Sequence, residues 1–107
     1  MTPEQFAQAI ADEKNALLES YFASDSRALV GQQLAGLQLP AEQRKLLREI
    51  IDGALTDICY TILLGLDGAT SLGSLQQQEF SLADEQGNLL TGGELEGAAY
   101  DVFHGEE

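Results

Sequence analysis

The segment from Ala41 to Leu66 carries a helical pattern that no proline interrupts for about a quarter of the chain. At about 100° per residue, the apolar side chains fall on one broad face. That face contains Leu47, Ile50, Ile51, Ala54, Leu55, Ile58, Ile62 and Leu66. Past Ile58 the apolar character surrounds the helix almost completely, which is typical of deep burial. The pattern predicts a long central helix over 41–66, with Ile58 in the core.

Two helices are predicted before this one. Thr2 is a good N-cap, and Gln5 completes a capping-box pattern for a helix from about 3 to 22. The polar stretch Ser24–Asp25–Ser26 ends that helix and can cap a second one over about 26–37.

The remainder of the chain predicts a β-hairpin followed by a short helix. A strand is expected over 78–83, the sequence Asp84–Asn88 favours a turn, and Leu89–Leu90 returns the chain. A helix is then expected over 94–104. The fold class predicted for the single domain 1–107 is therefore α+β and predominantly helical. It has three N-terminal helices, one β-hairpin and one C-terminal helix.

Charge is distributed unevenly along the chain, whose net charge is −13. Residues 1–48 carry six acids and five bases, whereas residues 49–107 carry twelve acids and no Lys or Arg. Such a field repels nucleic acids and anionic membranes and attracts basic proteins. The residues predicted to contact a basic partner are Asp67, Asp84, Glu85, Glu94, Glu96 and Asp101. The alternative interpretation is that the acidity only aids solubility.

No group of residues predicts catalysis, a metal or a cofactor. Cys59 lies in the most apolar stretch, where a cysteine is expected to pack as a small hydrophobe. Glu96, Tyr100 and His104 form one line on the last predicted helix, but they match no established metal-ligand spacing. Asp57 is expected to be a structural carboxylate that binds backbone amides of the 69–74 loop or of the hairpin.

Cysteine content and hydropathy favour a cytoplasmic location. One cysteine cannot form an intrachain disulfide, so an oxidising compartment is not indicated. The first residues lack the positive charge and apolar stretch of a secretory signal. The longest apolar run, over 58–66, is about half of the ~20 residues that span a bilayer.

These observations favour a non-catalytic acidic module that binds a basic protein, as an inhibitor or immunity-type protein does. One alternative is a structural homo-oligomer joined through the first or second helix. A small enzyme with a carboxylate-based site is the other alternative. An apolar patch on the helices would favour the oligomer, whereas a concave cleft at Asp57, Cys59 or His104 would favour the enzyme.

Overall fold

The first helix begins at a capping box, as the sequence predicts. In the computed structural model, which describes residues 1–105, helix α1 spans Pro3–Phe22. The backbone N–H of Gln5 donates to Thr2 Oγ1 at 3.1 Å, and the N–H of Thr2 donates to Gln5 Oε1 at 2.9 Å. Two backbone donors at the helix terminus are thereby satisfied.

Helix α2 is shorter than predicted and spans Leu29–Leu37. Its N-cap is Ala28, which offers no side-chain hydrogen bond, and Ser26 lies outside the helix. A Cβ atom at Gly31 would collide with the Ser26 side chain and would lie 3.0 Å from the carbonyl oxygen of Tyr21 in α1. The glycine therefore lets α2 lie close against the end of α1.

The two remaining helices have the predicted bounds. Helix α3 spans Ala41–Leu66, and helix α4 spans Glu94–His104. Helix α3 ends in a Schellman motif, in which the N–H of Ala69 donates to the carbonyl of Leu64 at 2.9 Å. Gly68 supplies the left-handed residue of this motif, with φ of +76°.

The predicted β-hairpin is wrong, and with it the α+β class: residues 1–105 form four helices and no strand. A single antiparallel bridge joins Ala83 and Leu89 around the turn. Further pairing is prevented because the Thr91 hydroxyl accepts from the N–H of Leu82 at 3.1 Å and donates to the carbonyl of Phe80 at 2.7 Å. The Thr91 side chain thus binds backbone groups of Phe80 and Leu82 that a second strand would otherwise bind.

The centre of the fold is α1, not α3 as predicted. Helix α1 packs against the other three helices, α3 and α4 pack against each other, and α2 packs against α1 alone. The buried core lies where α1, α3 and α4 meet. It consists of Ala7, Leu63, Leu95, Ala98 and Ala99, with Phe6, Ile10, Tyr60, Leu66, Val102 and Phe103 packed around it.

The molecule is elongated for its length. Its radius of gyration is 16.3 Å, whereas a compact chain of this length has about 13 Å. The principal extents are 46 × 30 × 29 Å. Helix α3 alone is ~39 Å long at its rise per residue, and both of its buried residues, Leu63 and Gly65, lie in its last turn. The N-terminal two-thirds of α3 therefore has an uncovered side.

Candidate protein-binding surface

An apolar ridge runs along the uncovered side of α3. It consists of Leu46, Ile50, Ala54, Ile58 and Ile62, each four residues after the one before, and all five are exposed. Residues at i±4 spacing form the ridges that pack into grooves of a neighbouring helix. We call these five residues the α3 ridge.

The prediction that Ile58 is buried is wrong. Its side chain is 53% exposed, Ile50 is 59% exposed, and Leu46 is 57% exposed. These fractions are close to that of Leu75, at 58%, which lies in a loop. Large aliphatic side chains are seldom left this exposed side by side on one helix, and a contiguous apolar patch marks an interaction site.

The ridge is exposed because α3 turns charged side chains toward α1. Lys14 Nζ in α1 lies 2.6 Å from Asp52 Oδ1, and Arg48 Nη2 lies 2.7 Å from Glu19 Oε1 of α1. Arg44 Nη2 donates to the backbone carbonyl of Phe22 at 2.6 Å. Side chains of α3 outside the predicted apolar face are therefore turned toward α1, and four of the eight residues of that face are exposed.

Two apolar depressions adjoin the ridge. One, of about 300 Å³, lies between α1 and α3 and is lined by Phe6, Ile10, Glu13, Lys14, Leu17, Leu55, Cys59, Ile62, Leu63 and Leu66. The other, of about 260 Å³, lies between the end of α2 and the start of α3 and is lined by Leu37, Leu39, Gln43, Leu46, Leu47 and Ile50. Ile62 and Ile50 are ridge residues that also line these two depressions, so the apolar surface is continuous.

The middle of the ridge has small side chains. Ala54 is its central residue, and a Cβ atom added at the adjacent Gly53 would meet nothing within 4 Å. Small residues let the backbones of two helices approach closely, which favours helix packing at this point. The larger side chains of the ridge lie on either side of it.

Basic side chains are largely engaged within the chain. The guanidinium carbons of Arg44 and Arg48 lie 5.1 Å and 5.5 Å from the centre of the Phe22 ring, a cation–π arrangement. Lys14 is paired with Asp52, and its side chain is only 10% exposed. Three of the five bases are thus held between α1 and α3, away from the acidic residues that follow α3.

Two of the acidic residues predicted to contact a partner make hydrogen bonds within the chain. Asp67 Oδ1 accepts from the N–H groups of Gly92 and Gly93 at 2.7 and 2.9 Å, and Asp67 Oδ2 accepts from the N–H of Glu96 at 2.9 Å. A carboxylate from the end of α3 therefore caps the N-terminus of α4, where negative charge is favoured.

Asp84 holds the turn that follows residue 83. Its carboxylate accepts from the N-terminal ammonium of Met1 at 2.8 Å and from the backbone N–H groups of Gln86 and Asn88 at 3.0 and 2.9 Å. The ammonium contact, followed by the bonds to Asn88, holds the pKa of Asp84 well below its usual range. Glu85, Glu94, Glu96 and Asp101, the other four predicted contact residues, have exposed side chains.

Of the three residues considered for an enzyme site, Cys59 lines the depression between α1 and α3, whereas Asp57 and His104 are exposed. Burial raises the pKa of the Cys59 thiol, and the nearby Lys14 ammonium offsets part of that rise, so the reactive thiolate is disfavoured. The His104 ring packs edge-on against Tyr60 at 4.5 Å between centroids. Asp57 is exposed on α3, so the structural role predicted for it is wrong, and Asp67 has that role instead.

Within residues 1–105, no three His, Cys, Asp or Glu side chains lie close enough together to hold a metal ion. Within the same residues, no helix is both long and apolar enough to cross a membrane.

No family model, curated protein or solved structure matches the chain. Reasoning from the sequence missed the α3 ridge, because it placed this apolar side of the helix in the core. A signal for it was present, because the apolar residues of 41–66 are more numerous than a single contacting helix can cover.

Proposed function

We propose that this chain is a non-catalytic protein-binding module and that the α3 ridge is the surface through which it binds another protein. The observation that carries the proposal is the exposure of Leu46, Ile50 and Ile58, each more than half exposed, on one side of one helix. Protein interfaces have such an apolar centre with a polar rim. Asp57 and Gln43 are exposed at the margin of the ridge and can supply part of that rim.

Cross-linking inside the native host tests this proposal. A photo-activated amino acid placed at position 58 is expected to give adducts to a protein, because the ridge is in contact when bound. The matched control is the same amino acid at position 75, since Leu75 is as exposed as Ile58 but lies away from α3. The readout is the yield and mass of each adduct, and equal yields at the two positions would contradict the proposal.

A second candidate function is the binding of a basic protein by the acidic part of the chain. It is favoured because three of the five bases, Lys14, Arg44 and Arg48, are engaged in contacts between α1 and α3 and do not offset the acidic residues that follow α3. Residues 67–107 carry nine acids and no Lys or Arg. An unbalanced field of this kind steers an oppositely charged partner and raises its association rate.

The steering hypothesis predicts a rate effect that depends on where the charges lie. The amide substitutions Glu85→Gln, Glu94→Gln, Glu96→Gln and Asp101→Asn are expected to slow association with a basic probe protein, lysozyme, about tenfold at low salt. The matched control neutralises four acids of the first half, Glu4, Asp12, Asp25 and Glu42, so that net charge changes equally. Stopped-flow measurement at two ionic strengths provides the association rates. If the two variants are slowed equally, the acidity of the chain serves only solubility.

A cytoplasmic location is part of the same proposal. It is supported by the single cysteine, Cys59, which leaves the chain without an intrachain disulfide.

A further inference from the structure

We infer that the partner bound by the α3 ridge is a second copy of this chain, with the two α3 helices crossing antiparallel about a two-fold axis at Ala54. The inference rests on the proposed binding function and names its partner. A two-fold interface is self-complementary, since the same patch serves on both subunits. Four observations support this self-pairing: the spacing of the ridge, its central residue, the accessible area of the whole chain and the net charge of α3.

The spacing of the ridge is symmetric about Ala54. Ile50 and Ile58 lie four residues to either side of it, and Leu46 and Ile62 lie eight residues to either side. In an antiparallel crossing centred on Ala54, Ile50 of one copy faces Ile58 of the other, and Leu46 faces Ile62. Each large aliphatic side chain thus meets one of similar size. The i±4 rows of two helices run parallel to each other when the helices cross at an interaxial angle of about 50° in magnitude.

The central residues allow the helices to approach closely. Two Ala54 side chains would meet at the two-fold axis, where the gap between two crossing helices is smallest. The neighbouring Gly53 has open space around it. Helix crossings with small residues at the contact point reach the shorter interaxial distances, near 8 Å. The larger isoleucine and leucine side chains then fill the space on either side of the crossing.

The exposed area of the single chain exceeds that of a monomer of this mass. Its accessible surface is 7331 Å², whereas a folded monomer of 11.5 kDa has about 5,800 Å². The excess is therefore about 1,500 Å² per chain, against the ~800 Å² that each partner buries in an interface of standard size. Two copies that cover this excess on each other would reach the size of a stable homodimer interface.

Charge also favours a second copy at this helix. Helix α3 carries four acids and three bases, a net of −1, although the whole chain has −13. Pairing through α3 therefore joins the long helix with the smaller net charge, since α1 has −3, and leaves the seven acids of residues 67–105 outside the crossing. A strongly basic partner finds little opposite charge on this surface.

A charge at the two-fold axis tests the pairing. Ala54→Glu is expected to weaken dimerisation about 100-fold or more, because it places two carboxylates against each other in a desolvated contact. Glutamate is a good helix former, so the exposed position should keep its helix, which far-ultraviolet circular dichroism checks. The matched control is Leu75→Glu, which adds the same charge at an equally exposed residue outside α3. Sedimentation velocity over a range of concentrations measures the association constants.

Charge rescue tests the symmetry and the direction of the helices. A mixture of Ala54→Glu and Ala54→Arg chains is expected to form a heterodimer, because opposite charges then meet at the axis. A chain with both Ile50→Glu and Ile58→Arg is expected to dimerise more tightly than one with Ile50→Glu alone. That rescue requires an antiparallel pair, since a parallel pair in register sets the two position-50 carboxylates against each other.

The salt dependence of binding distinguishes a second copy of this chain from a basic protein as the partner. Two copies of net charge −13 repel each other, so dimerisation is expected to strengthen when ionic strength rises, whereas salt weakens binding to a basic protein.

A wild-type dimer with both rescues supports the inference, and a dimer without them overturns the assigned geometry. A wild-type monomer at every concentration overturns the inference. If position 58 then still cross-links to a different protein, the proposed binding function stands; if it cross-links to nothing, the proposed function fails as well.

Discussion

Leu95→Ala is expected to lower the free energy of unfolding by about 2–5 kcal/mol, the range for a fully buried leucine. Leu95 is 0% exposed and lies in the cluster where α4 meets α1 and α3. Only nine apolar residues are buried in the described part of the chain. Leu95 and Leu63 have the largest side chains among those that are fully buried. Because the core is small, the loss is a large part of the total stability. Urea unfolding followed by circular dichroism measures it.

The matched control is Ile58→Ala, and both alanine variants are measured in the monomeric Ala54→Glu background so that association contributes to neither value. Ile58 is 53% exposed, so its truncation is expected to cost less than about 0.5 kcal/mol there. The sequence pattern alone predicted the opposite, with Ile58 in the core. If the two alanine variants lose equal stability, then Ile58 packs inside the monomer and the described orientation of α3 is incorrect.

Helix positions were predictable because their signals are local. Thr2 and Gln5 form the capping box that starts α1, and Gly68 provides the left-handed residue that ends α3. Such signals depend on residues only a few positions apart. The bounds of α1, α3 and α4 therefore agree with the sequence prediction, whereas α2 starts at Leu29, with Ala28 and not Ser26 at its N-terminus.

The side of α3 that faces the core was not predictable from periodicity. A hydrophobic pattern shows that a helix has an apolar side, but it does not show which molecule covers that side. Here Asp52 and Arg48 form ion pairs with α1, so the helix presents charged groups to its intramolecular neighbour. The apolar side is then free for an intermolecular contact. Prediction from one chain assumes that each apolar face is covered by the same chain, and that assumption fails in proteins that assemble.

The hairpin failed for a related reason. The alternation of Phe80 and Leu82 and the turn at Gly87 are local features of a hairpin, and the turn does form. A strand pair also needs backbone groups that are free to pair on both segments. Here the Thr91 hydroxyl accepts from the N–H of Leu82 on the first segment, and Asp67 accepts from the N–H groups of Gly92 and Gly93, just after the returning segment. Contacts between residues 25 positions apart leave no pattern in a single sequence.

Substitution of Asp67 is the second change that is expected to have a large effect on stability. Asp67→Ala is expected to lower the free energy of unfolding by about 2–3 kcal/mol, because three backbone N–H groups lose a charged acceptor at the start of α4. Asp67→Asn keeps one acceptor oxygen and is expected to cost about half as much. Urea unfolding measures both, and amide hydrogen exchange at Glu96 should report faster opening of the first turn of α4.

Asp57→Ala is the matched control for this effect, since it makes the same substitution within α3, the helix that Asp67 follows as the C-cap. Asp57 is exposed, so its loss is expected to change stability by less than about 0.5 kcal/mol. The comparison also separates specific capping from general charge repulsion, because both variants reduce the net charge of −13 by one. Relief of repulsion would stabilise the two variants alike, whereas capping destabilises only the Asp67 variant. If Asp67→Ala proves as stable as Asp57→Ala, then the carboxylate does not hold α4 against the end of α3.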